Sequence, residues 1–109
     1  MSVEPEIIEL LEHAFREGWR LKQEEQFGKG YMPTQHEIMC RERAMARVVR
    51  EFAARIGGRR NGGYPSRKKR DEALAWLRTE EGRSQAIAFI SNVAKMAHAM
   101  QGPDVPESA

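Results

Sequence analysis

The chain is 109 residues long, one domain's worth, and a chain of this size buries roughly two thirds of its unfolded surface, enough for one core without staples. Charged residues of both signs make up 31% beside 40% apolar ones, which excludes a disordered polyelectrolyte. A lone cysteine, Cys40, excludes an internal disulfide framework, and no apolar run nears the roughly 18 residues that a bilayer span needs.

The acidic start MSVEPEIIELLEHAF lacks the basic-then-apolar plan of a signal peptide, so a cytoplasmic location is expected. Net charge is only +2, but it is unevenly spread. Residues 1–30 hold seven acids and four bases, residues 31–78 hold twelve bases and five acids, and residues 79–109 hold four acids and two bases. A basic middle therefore lies between two acidic ends.

The first helix is expected from about Pro5 to about Gln26. Proline suits a first turn, and Glu4, Glu6 and Glu9 favour the positive end of the helix dipole. Ile7, Leu11, Ala14, Phe15, Gly18 and Leu21 share one stripe at helical spacing, with Trp19 on its edge. The run Phe27-Gly28-Lys29-Gly30 ends it.

The second helix, 35–56, is announced by Thr34-Gln35-His36-Glu37, a capping box in which hydroxyl and carboxylate each take the other residue's backbone N–H. Ile38, Met45, Val48, Val49, Phe52 and Ile56 form its apolar stripe, and Gly57-Gly58 stops it. Residues 57–66, with four glycines, an Asn-Gly pair and Tyr64-Pro65, read as a flexible basic loop. Ser66 is a candidate cap for a third helix, 67–78, that packs Ala73, Leu74 and Leu77 with Trp76 nearby.

Thr79 is expected to cap a fourth helix, 80–101, with Glu80 and Glu81 in its first turn. Gly102-Pro103 stops it ahead of a frayed tail, 103–109. This helix has two apolar stripes: Ala86, Ile87, Ile90, Ala94 and Ala97 on one, Phe89, Val93, Met96 and Met100 on the other. A helix apolar on two faces is either sandwiched inside its own domain or docked on other protein subunits or copies through the second stripe. The whole reads as a single all-α domain, 1–102, a compact bundle of three to four helices.

Arg43, Arg47 and Arg50 recur at helical spacing almost opposite the apolar stripe of the second helix, so all three should face solvent together. Arg55, Arg59, Arg60, Arg67, Lys68, Lys69 and Arg70 follow, with no acid between Glu51 and Asp71. Such a set suits phosphates: flexible cations displace condensed counterions, arginine binds phosphate through two parallel N–H donors, and Tyr64 offers a stacking face for an unpaired base. The same charge would also serve as a solvated surface or grip an acidic protein.

A helix-turn-helix is poorly served, because about ten residues join the second and third helices where a turn of three or four is required. Helices three and four would present only Arg83, Ser84 and Gln85.

His36 and Cys40 stand four apart, yet His13 and His98 are isolated, so no four-ligand zinc site is expected. No Gly-Lys-Ser/Thr phosphate loop and no nucleophile–base set is present, so neither a cofactor nor catalysis is expected.

The reading that results is a non-catalytic subunit that holds nucleic acid through its backbone inside a larger nucleoprotein assembly. In size and charge alone it resembles the small helical subunits of CRISPR effector complexes, with no motif to tie it to them. Its rivals are an adaptor or inhibitor gripping an acidic partner, and a helix-turn-helix-like regulator.

Overall fold

Local capping chemistry sets several of the helix limits seen in the computed structural model, which describes residues 3–56 and 67–101. The helices are α1 (Pro5–Phe27), α2 (Gln35–Ile56), α3 (Arg67–Arg78) and α4 (Glu80–Gln101), and among the described residues there is no strand. The Thr34 N–H donates to Glu37 Oε1 at 2.7 Å and the Glu37 N–H donates to Thr34 Oγ1 at 3.1 Å, the reciprocal box at the head of α2. Gly28 (φ 99°) and Gly30 (φ 83°) turn the chain out of α1 through the left-handed region, where a β-carbon would be strained. Ser66, the expected cap of α3, and the stretch 57–66 lie outside the described residues.

One residue, Thr79, joins α3 to α4. Its hydroxyl donates to the Trp76 carbonyl at 2.7 Å and accepts from the Gly82 N–H at 3.0 Å, so it closes one helix and caps the next. A β-carbon at position 82 would collide with the Trp76 carbonyl, which is why the first turn of α4 carries glycine there.

The core lies between α1 and α4. Leu11, Phe15, Leu77 and Ile90 are its largest fully buried side chains, joined by Ile7, Ala14, Trp19, Ala86 and Ala94. Glu4 ahead of α1 meets Arg78 ahead of α4, Gly18 faces the Ser91 carbonyl, and Phe27 at the end of α1 lies 6.5 Å from His98, so α1 and α4 advance in the same direction. Trp19 also meets His98 edge-on at 4.9 Å. Met45 and Val49 bring α2 onto this layer, and Leu74 and Leu77 of α3 meet Val3 and Ile7 under the start of α1. Among the described residues no helix is long and apolar enough to cross a membrane.

The buried face of α1 differs from the straight stripe expected. Trp19, placed on its edge by spacing, is only 2% exposed, whereas Leu21, placed within it, is 44% exposed. Helices that cross at an angle bury a stripe that winds around the axis, and along α1 it winds toward Trp19 and the buried Gln23.

His98 closes the other end of the core. Its ring also lies 6.5 Å from Phe27, which stacks on Tyr31 at 4.6 Å, and the Tyr31 hydroxyl donates to Glu37 at 2.9 Å. Among the described residues its buried Nδ1 has no hydrogen-bond partner. Burial lowers the pKa of His98 from its usual 6.5, against the pull of the Glu37 carboxylate and with help from Lys22.

Two outcomes follow from this packing. Gly18→Ala sets a β-carbon against the Ser91 carbonyl, so despite a helix-propensity gain of about 1 kcal/mol it should cost about 1–3 kcal/mol net. Thermal unfolding followed by circular dichroism checks this, and an unchanged or raised Tm contradicts the close approach. His98, with its folded pKa depressed, adds stability that is complete above the ordinary value of 6.5 and falls away as pH drops through its lowered one. An NMR titration of its ring protons should give a midpoint below 6.5, and a midpoint at or above that value contradicts the buried neutral ring.

Candidate nucleic-acid interface

The outward side of α2 is built by subtraction. Its apolar stripe turns Met45 and Val49 into the core and half-buries Val48 and Phe52, which leaves Arg43, Arg47 and Arg50 on the opposite side, all exposed. The helical rise of about 1.5 Å per residue spreads the three over roughly 10 Å of the axis. Arg55 is also exposed, one turn further on.

These four differ from the cations along α1 and at the end of α3, which are held by carboxylates: Arg20 by Glu17 and Glu24, Lys22 by Glu25, and Arg78 by Glu4. Two of the three acids on α2 are engaged as well. Glu37 belongs to the capping box, and Glu42 accepts from Arg16 of α1 at 2.8 and 3.0 Å and from Arg41 at 2.8 Å. Glu51 remains, four residues from both Arg47 and Arg55 and paired with neither. Among the described residues, Arg43, Arg47, Arg50 and Arg55 therefore form no ion pair.

The remaining residues of the expected site fall into two groups. Lys68 and Lys69 are exposed on the first turn of α3, the helix to which Arg67 and Arg70 also belong. Arg59, Arg60 and Tyr64 lie outside the described residues. Arg83, at the head of α4, is half-buried with its Nε unpartnered among the described residues, so it is poorly placed to read base edges.

Metal-ligating chemistry is thin. Cys40 Sγ lies 3.5 Å from His36 Nε2, and no group of three His, Cys, Asp or Glu is gathered among the described residues. On α4, Phe89, Met96 and Met100 are exposed and Val93 is half-buried. The helix packs on α1 through Ala86, Ile90 and Ala94, so the second apolar stripe is not enclosed by α1 and α2.

The Arg16–Glu42 fork, a feature that sequence reading passed over, ties α1 to α2 and orients the arginine face. No protein-family model, no curated protein and no solved structure matches this chain.

The hydrogen bond from Arg16, aided by that from Arg41, lowers the Glu42 pKa from 4.5 to about 2 despite some burial. The folded value is the lower one, so the contribution is complete above 4.5 and is lost as pH falls toward 2. Both side chains keep more than a third of their surface in water, so solvent screening limits the pair to about 0.5–1 kcal/mol. Glu42→Gln should be less stable than wild type by that amount at pH 7 and should match it near pH 2, as read by urea denaturation. A deficit that is the same at both pH values removes the ion pair as its cause.

Proposed function

We propose that this protein is a non-catalytic subunit that binds nucleic acid through its phosphate backbone within a larger nucleoprotein assembly. The observation that carries the reading is the unpaired state of Arg43, Arg47 and Arg50 together on one rigid helical face, while Arg16, Arg20 and Lys22 of α1, Arg41 of α2 and Arg78 of α3 are matched to carboxylates. Guanidinium groups without internal partners keep all their donors for a ligand, and their spread along α2 suits the repeated anions of a strand. Arg55, Lys68, Lys69 and the basic stretch Arg59, Arg60, Tyr64, Arg67 and Arg70 extend the same charge along the chain.

Phosphate contact positions a strand without reading its sequence. Half-buried Arg83 and the single-residue joint before α4 argue against a helix-turn-helix reader.

Fluorescence anisotropy with unrelated single- and double-stranded DNA and RNA oligonucleotides across a salt series tests the reading. Wild type should bind without sequence preference and weaken steeply with salt. Substituting glutamine at Arg43, Arg47 and Arg50 together should make the log–log salt slope shallower by roughly two to three units. If wild type shows no binding even at low salt, the reading fails, and the arginine face belongs to an acidic protein surface instead.

A further inference from the structure

From Ser84 to Met100 every exposed residue of α4 is uncharged, in a chain where 31% of residues are charged. Phe89, Met96 and Met100 are 54, 63 and 83% exposed and follow one another at helical spacing. They share the face with Ala88, Ala99 and three neutral polar side chains. Phe52 of α2 extends it, its ring 6.0 Å from that of Phe89. The nearest charge on α4, Lys95, sits half-buried at the edge.

This face constrains what can cover it. A charged occupant would give up water from its charges and find no exposed counter-charge opposite, a desolvation cost left uncompensated. The outer surface of α1 carries the Arg20 and Lys22 ion pairs, and that of α2 carries the free arginines. Neither suits the face, and two apposed arginine faces would repel. The occupant that fits is an uncharged helix face with large apolar side chains spaced among alanines, and the outer face of α4 is itself such a face.

We propose that the outer face of α4 binds the same face of a second copy of this chain, making a two-fold dimer. A two-fold contact presents the patch to itself, so apolar meets apolar and no charge is stranded. Ala88 and Ala99 let the two helices approach to the usual 8–10 Å, while Phe89, Met96 and Met100 of one copy fill the spaces between those of the other. The contact spans about 24 Å of helix, which falls at the small end of specific interfaces and gives a weak, reversible dimer.

Sedimentation equilibrium of the full chain, without nucleic acid, from about 1 to about 500 µM tests this. The weight-average mass should climb from the 12.5 kDa monomer toward twice that value. Met96→Glu and, separately, Met100→Glu should hold the mass at the monomer value at every concentration, with an unchanged helical circular dichroism spectrum. Both positions are mostly in water in the monomer, and Met100 lies in the last turn, so at least one variant stays folded. A wild-type mass that stays monomeric overturns the proposal and hands the face to an apolar helix of another protein. So does a dimer that survives in the folded glutamate variants. No oligonucleotide is present, so neither result bears on phosphate binding.

Discussion

The fold depends on how closely α4 lies against α1, and that distance is set where the bare Cα of Gly18 faces the Ser91 backbone carbonyl. Around this contact Leu11 and Phe15 reach α4 from one side while Ile90 and Ala94 fill in from the other. Most of the bulk comes from Leu11, Phe15 and Trp19 of α1, while α4 adds Ile90 between the alanines Ala86 and Ala94. A helix that contributes alanines to such a seam needs little width to do so. Its remaining circumference is therefore left outside, and the large side chains found there do no work in the core.

The helix limits were legible because the signals that set them are local. Thr34 with Glu37, Thr79, and Gly28 act on backbone groups within four residues of themselves, so their spacing alone carries the information. The shared direction of Arg43, Arg47 and Arg50 was legible for the same reason, since it follows from a period of 3.6. Their lack of partners was not. Glu42 is the immediate neighbour of Arg43 and Glu51 lies four residues from Arg47, so sequence alone suggests local neutralisation. Only the tertiary fork to Arg16, 26 positions away, shows that Glu42 is occupied elsewhere. Trp19 and His98 were hidden likewise: one seemed peripheral and the other isolated until α1 and α4 came together and set one ring edge-on to the other.

Carboxylates on this molecule are spent in two ways. Those of Glu17, Glu24 and Glu25 lock cations along α1, Glu4 and Glu42 take cations from other helices, and Glu37 gathers the capping box and the Tyr31 hydroxyl at one point. These pairings take up Arg16, Arg20 and Lys22, so the charge that α1 leaves unpaired is negative. The arginines of α2 keep their positive potential at the surface, where it decays over about a Debye length of salt solution. The polarity seen in the linear sequence is thus sharper in three dimensions.

The Thr79 joint governs where α3 can be. Trp76 presses its carbonyl against Gly82, and the Thr79 hydroxyl holds both helix ends, so α3 is a bracket fixed to α4 rather than a hinged arm. Through α4 it is referred to α1, and through the Arg16 fork α1 is referred to α2. The gap between the cations of α2 and those of α3 is therefore gauged by a chain of helix contacts that runs through α1 and α4.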